Sequence, residues 1–160
     1  MSARRWLCRV VAGVVMVVGA ESAPRAAEPW LGSWKIASAR LAPWVDRTHQ
    51  PDTTDRNELL GKTVMFKPYE IAGPAILACK TPKYRLSDFS ADMLFQGAFG
   101  EMRQKDEAVD PAKIAASLGF KGESWQVLET GCANDIDWQF IDDATLAIGF
   151  NDYVYVLKKQ

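Results

Sequence analysis

The sequence is poor in the residues that most often carry chemistry. It has one histidine, His49, and three cysteines that form no Cys-x-x-Cys pair. A nucleophilic triad needs a base beside its nucleophile, and His49 lies alone in a polar segment. The acidic stretches 134–137 and 142–143 lack the glycine and the closing glutamate of an EF-hand loop and are typical of turns. We therefore predict a protein that is not an enzyme and that carries no metal or cofactor.

The chain also has no surplus of positive charge. It contains 19 Lys and Arg against 20 Asp and Glu. The first 20 residues hold three of the arginines and no acid, so the rest of the chain has 16 basic against 20 acidic residues, a net charge of −4. Nucleic acids and anionic lipid surfaces select basic patches. Neither is an expected partner.

Long apolar runs are missing beyond the N-terminus. Arg4, Arg5 and Arg9 precede or flank a short apolar segment, 10–18, and the small residues at 18–20 suit cleavage after Ala20. We predict a signal peptide over 1–20, cleaved somewhere in 20–27, and a periplasmic or secreted protein with no membrane span in its mature form. The alternative is an uncleaved membrane anchor, for which the apolar segment is short.

Cleavage would leave two of the three cysteines, Cys79 and Cys132. In an oxidising compartment these two are expected to form a disulfide. In the chain-entropy model, closing a loop of this length contributes about 4 kcal/mol. A reactive or metal-binding thiol pair is the alternative, and neither the spacing nor a neighbouring histidine supports it.

The remaining chain suits a single domain, 28–160, built mostly of short strands. Apolar runs separated by turn residues predict strands over 32–41, 61–66, 71–80, 82–89, 92–100, 123–132, 136–141, 144–150 and 153–159. Gly73-Pro74 is expected to break the segment 71–80 or to confine it to a sheet edge. One short helix is predicted over 111–118, after the N-cap Asp110 and before Gly119. The polar segment 45–58 predicts a long loop. Hairpin-linked strands in this order describe an all-β fold, a small antiparallel up-and-down barrel or a sandwich.

The strand over 136–141 has the clearest alternation. Ile136, Trp138 and Phe140 alternate with Asp137 and Gln139. Since successive side chains on a strand point to opposite faces, this pattern predicts one buried face and one face in water.

Gly32-x-Trp34 stands on the first predicted strand, ahead of the long loop and the up-and-down strands. This arrangement resembles the lipocalin-like families, the calycin-type barrels, in a short bacterial form. The resemblance implies that Gly32 and Trp34 lie at the floor of a barrel and that the loop 45–58 overhangs its mouth. It also implies that Lys158 or Lys159 covers the indole through a cation–π contact.

Two classes of function follow. The first is a non-enzymatic binding protein for a small apolar or amphipathic ligand, with Trp44, Trp138 and Phe140 as ligand-binding residues and 45–58 as a lid. The second is an envelope protein that binds or inhibits a secreted hydrolase, such as a lysozyme or protease. The negative charge suits a cationic partner. Alternatively, the tryptophans are core or rim aromatics that bind nothing.

The state of the interior separates these two classes. A cavity of roughly a few hundred Å³ lined by aromatic side chains favours a small ligand. A filled interior with an exposed apolar or acidic loop patch favours a protein partner.

Overall fold

The computed structural model describes residues 28–46 and 48–160. The predicted signal peptide and its cleavage site lie outside these residues. The described elements are β1 (Gly32–Leu41), α1 (Thr54–Leu59), β2 (Thr63–Lys67), β3 (Glu70–Ala72), β4 (Arg85–Ser90), α2 (Ala98–Lys105), α3 (Pro111–Ser117), β5 (Ser124–Glu129), β6 (Trp138–Asp142), β7 (Thr145–Phe150) and β8 (Tyr153–Lys159), with a short 3-10 helix over Ala91–Met93. None of the described helices has the length and apolar character to cross a membrane.

The eight strands form one antiparallel sheet in the order β3-β2-β1-β8-β7-β6-β5-β4. Strands adjacent in sequence pair with each other, except β3 and β4, and β8 returns to pair with β1. The predicted up-and-down arrangement of strands is confirmed. The sheet curls through 202° and remains open between β3 and β4, so that it forms a half-barrel.

The opening lies where β3 is too short to continue the sheet. β3 has three residues and is followed by Gly73-Pro74. Proline has no backbone N–H to donate to a neighbouring strand, so pairing ends there. The chain then returns, and Cys79 forms an isolated antiparallel bridge with Ile71. The segment 71–80, in which Gly73-Pro74 is expected to break the strand or confine it to an edge, therefore contributes only to the short edge strand β3.

The contact between Phe66 on β2 and Trp138 on β6 identifies the concave face. Three strands separate β2 from β6 in the sheet, yet the two ring centroids are 4.8 Å apart. Only curvature toward this face brings the rings together. The inner cluster on this face consists of Trp34, Ile36, Leu59, Val64, Phe66, Ile71, Leu77, Leu128, Ile136, Trp138, Phe140, Leu146, Ile148, Tyr153, Tyr155 and Leu157.

Helices α2 and α3 cover part of the outer face. Phe99 from α2 and Ala115 from α3 are fully buried in a second cluster with Val127 and Ala147 from the sheet. The segment 92–100 belongs to this helical layer, and the strand expected there is wrong. Phe95 packs into the second cluster from a left-handed turn before α2, and Phe99 packs into it from α2 itself.

This helical layer also changes the environment of β6. Gln139 is 0% exposed and Asp137 is half-buried. The prediction of a face in water is wrong at Gln139, because its strand partners Val127 and Ala147 belong to the cluster that α2 and α3 cover. Asp137 lies just before β6 and is only partly exposed. The alternation of a strand predicts two faces but does not show whether a helix covers the second.

Candidate functional site

The two ends of the half-barrel are built differently. We call the end formed by Trp30, Trp34 and Lys159 the packed end, because side chains close it. Trp34 is fully buried, and its indole N–H donates to the Trp30 carbonyl at 2.8 Å. Lys159 is the lysine that covers this indole, with Nζ 5.3 Å from the ring centroid. Gly32 has a φ of +116°, which L side chains rarely adopt. The role of Gly32 and Trp34 as a floor stays a prediction.

At this same end, the opening between β3 and β4 is bridged by side chains. The predicted disulfide between Cys79 and Cys132 is confirmed, and it joins the segment after β3 to the segment after β5. The Tyr84 hydroxyl donates to the Lys67 carbonyl at 2.8 Å, and its ring lies 5.8 Å from that of Trp30. The disulfide and the Tyr84 hydrogen bond therefore join the two sides of the opening at the packed end.

At the other end, the turn between β7 and β8 holds the long loop in place. Asp152 Oδ2 lies 3.0 Å from His49 Nε2 and accepts the backbone N–H of Asp52 at 2.9 Å. Asn151 Nδ2 donates to Asp55 Oδ2 at 2.5 Å. We call residues 44–46 and 48–58 together with Asn151 and Asp152 the loop end.

Short side-chain turns shape the loop from within. Asp46 accepts the backbone N–H of Thr48 at 2.7 Å and its hydroxyl at 2.6 Å, and Asp52 accepts the backbone N–H of Thr54 at 2.8 Å. Asp followed two residues later by Thr favours such turns. The loop ends in α1, a helix that the polar composition of 45–58 did not indicate.

Hydrogen bonds lower the pKa of three carboxylates at the loop end. The hydroxyl and backbone N–H of Thr48 lower the pKa of Asp46. The backbone N–H of Thr54 lowers the pKa of Asp52, and the backbone N–H of Asp52 lowers the pKa of Asp152. Asp46 and Asp52 are exposed and Asp152 is half-buried, so these three carboxylates contribute negative charge to the surface of the loop end.

A recess of about 310 Å³ opens between the loop and the turn that holds it. It is lined by Trp44, Val45, Asp46, His49, Asn151 and Asp152. The Trp44 indole lies on the outer face of the sheet, with its centroid 5.3 Å from that of Phe95. A Cβ on Gly149 would lie 2.8 Å from Trp44 Cη2, so a larger residue there would displace the ring. One wall of the recess is thus a fixed aromatic ring.

On the concave side of the loop end, one polar group is buried without a partner. Tyr155 is 0% exposed, and its hydroxyl makes no hydrogen bond to any residue that the structure describes. Burial raises the pKa of Tyr155 to about 12, and the nearby carboxylate of Asp55 on α1 adds to the shift. The phenol is neutral at physiological pH and retains an unused donor.

A separate cleft of about 540 Å³ lies between α1 and the β2–β3 hairpin. Its lining is mixed, with Asn57, Glu58, Lys62, Thr63, Gly73, Pro74 and Ala75. Most of these side chains are exposed, and none belongs to the inner cluster. This cleft is an open surface feature and not an entrance between the aromatic rings.

The structure does not bring the three predicted ligand-binding residues together. Trp138 and Phe140 lie in the inner cluster, where Phe140 is 6.3 Å from the Trp34 ring centroid. Trp44 lies on the opposite face of the sheet. The sequence did not indicate that Asn151 and Asp152 hold the loop, because their contacts span about a hundred residues and leave no local pattern.

The chemistry available at the loop end is recognition by charge, hydrogen bonds and an aromatic ring. Within residues 28–46 and 48–160, no group of three or more His, Cys, Asp and Glu side chains is placed to hold a metal ion. Comparison of the chain with models of protein families, with curated proteins and with solved structures finds no match.

Proposed function

We propose that the protein is an exported binding protein that uses its loop end to bind a cationic secreted protein, such as a hydrolase that it inhibits. The observation that carries this proposal is the fastening of an acidic loop to the turn at Asn151 and Asp152. A loop held in one conformation loses little entropy when a partner binds, so more of the contact energy appears as affinity.

The charge of the loop end supports a cationic partner. Segment 45–58 contains four Asp and Glu residues and two arginines, and Asp152 adds a further carboxylate. Complementary charge accelerates encounter and disfavours partners of the same sign. The disulfide indicates an oxidising compartment, which agrees with export.

The packed concave face supports a protein partner over an enclosed small molecule. The rings of Trp34 and Phe140, and those of Phe66 and Trp138, contact each other across the curl. These side chains occupy the space in which a ligand would lie between aromatic walls. We propose that the scaffold is related to short lipocalin-like domains, which Gly32-x-Trp34 and Lys159 over the indole support. In this chain the binding site would lie at the loop end and not inside the barrel.

A small amphipathic ligand is a second candidate, and the hydroxyl of Tyr155 favours it. A buried donor without a partner costs about 1–3 kcal/mol, which a ligand carbonyl or hydroxyl would recover. Such a ligand would enter beneath α1 and accept a hydrogen bond from Tyr155, which lies beside Asp55.

Native mass spectrometry of the protein purified from its own compartment distinguishes the two candidates. Under the proposed function, the chain carries a second protein, and calorimetry with that protein shows binding that is lost when 47–56 is shortened. A lysozyme and a cationic protease are the first partners to test directly, with inhibition of their hydrolysis as the readout. A chain that carries only a small molecule would instead establish the second candidate.

A further inference from the structure

The recess at the loop end combines two kinds of wall. The indole of Trp44 and the carboxylates of Asp46 and Asp152 all line it, and His49 lines it beside Asp152. The indole is held by its N–H, which lies 3.4 Å from the Asn151 carbonyl, and by Phe95 and Phe99 behind it. The ring and the carboxylates are therefore positioned before any partner arrives.

We propose that this recess receives one arginine side chain of the partner protein, an inference that rests on the proposed function and names the residue it recognises. A guanidinium group is planar, always charged and able to donate in a fork to a carboxylate while it stacks on an aromatic ring. The recess presents both of these complements side by side, in a volume of about 310 Å³.

Other side chains fit the recess less well. An apolar side chain would bury the carboxylates of Asp46 and Asp152 away from water without a counter-charge, which is costly. A lysine ammonium carries the charge but has no plane to lie against Trp44 and no fork to pair with a carboxylate. The acidic wall excludes glutamate and aspartate.

The carboxylates also keep acceptor capacity for an incoming donor. Asp46 uses Oδ1 for both of its bonds to Thr48, and Asp152 uses Oδ2 for His49 and for the backbone of Asp52. Among the residues that the structure describes, none donates to the second oxygen of either group. Replacing Asp46 by Asn preserves the acceptor that binds Thr48, so this variant removes charge while it keeps the turn.

The test uses N-acetyl-arginine amide and its uncharged isostere N-acetyl-citrulline amide as probes of the exported chain labelled with ¹⁵N. The readout is the indole N–H resonance of Trp44, assigned by its loss in Trp44→Phe. We expect a saturable shift with the arginine compound and binding about fivefold weaker with the citrulline compound. Asp46→Asn should weaken arginine binding by a similar factor. Asp88→Asn, which removes an exposed carboxylate on β4, should leave it unchanged.

Equal responses to the two compounds, or no shift of the Trp44 resonance with either, would overturn the inference. Calorimetry with the cationic hydrolase separates this failure from failure of the proposed function. If the hydrolase needs the loop 47–56 but tolerates Asp46→Asn and Trp44→Phe, only the arginine recess is wrong. If shortening the loop leaves hydrolase binding intact, the proposed function is wrong.

Discussion

At the scale of the single residue, Trp34 combines several kinds of contact. It is fully buried, donates to Trp30, lies against Phe140 and sits under Lys159. A glycine two positions earlier, at a φ of +116°, sets the direction from which the chain enters the strand. The sequence pattern predicted this burial because Gly-x-Trp lies inside an alternating strand, and alternation is local information.

Replacing Trp34 by Ala is therefore expected to cost about 3–5 kcal/mol of unfolding free energy, as is usual for a large core truncation. Urea unfolding followed by circular dichroism measures this loss. The matched control is Trp44→Ala, at a half-buried tryptophan of the loop end, which should cost less stability and weaken partner binding. If Trp34→Ala keeps full stability and loses only binding, the binding site lies at the packed end.

The ionisation of Asp137 opposes folding. Burial, followed by the charges of Glu129 and Asp135, raises the pKa of Asp137 from 3.8 to about 6. The folded chain therefore binds this proton more tightly than the unfolded chain does. The contribution of Asp137 to stability is favourable below about pH 4 and is lost as the pH rises toward and through 6.

The variant Asp137→Asn should be more stable than the parent chain at pH 7, by about 1 kcal/mol once screening by water is allowed for. The gain should disappear below pH 4, where Asp137 is protonated in both states. Unfolding curves at several pH values measure the difference between the two chains, which removes the opposing contributions of carboxylates with lowered pKa values. Asp143→Asn, at an exposed turn, is the control, and an equal gain there would show that only net charge matters.

Among the elements, the helix α3 and the segment 92–100 show where sequence patterns suffice and where they do not. Asp110 caps α3 by accepting the backbone N–H groups of Ala112 and Lys113, as its place before Pro111 predicted. The signals for this helix lie within ten residues. In 92–100, three consecutive left-handed residues, Phe95, Gln96 and Gly97, lie between the 3-10 helix and α2. That conformation depends on packing against the outer face, which no local pattern encodes.

The long loop is the element whose removal should separate folding from binding. Its polar contacts to Asn151 and Asp152 are exposed, and exposed pairs contribute little to stability. The buried anchor Leu59 lies beyond the loop. Loop length changes closure entropy only slowly. Shortening 47–56 should therefore leave a cooperatively folded chain whose unfolding free energy falls by no more than about 2 kcal/mol.

The same shortened chain should no longer bind the partner. Melting and calorimetric titration on one preparation check both halves of this expectation. A chain with a scrambled 47–56 segment of equal length and charge serves as the control, since it separates loss of a specific surface from loss of negative charge. Unfolding of the shortened chain would show that the loop is part of the core and not a binding surface.

At the scale of the whole molecule, the half-barrel has an open seam, because β3 and β4 are adjacent in sequence but do not pair. The strand order follows from hairpins and from the pairing of β1 with β8, and the alternating strands predicted most of it. The opening could not be predicted, because it depends on how far β3 extends and on what covers β4. In place of backbone pairing, the seam is spanned by Tyr84 and by the disulfide.

The disulfide should therefore stabilise the whole fold and not one local turn. Cys79 and Cys132 are 53 residues apart, and the loop between them contains β4, β5 and the helical layer. In the chain-entropy model, a cross-link over a loop of this size contributes about 4 kcal/mol by restricting the unfolded chain.

The double variant Cys79→Ala/Cys132→Ala, which leaves no reactive thiol at the seam, should lose a few kcal/mol of unfolding free energy, seen as a lower urea midpoint. Its slope with denaturant should rise, because the unfolded chain without the cross-link exposes more surface. Thiol labelling of the unfolded, unreduced parent chain gives the independent check: two labelled cysteines, or a double variant as stable as the parent, would show that side-chain packing alone holds the seam.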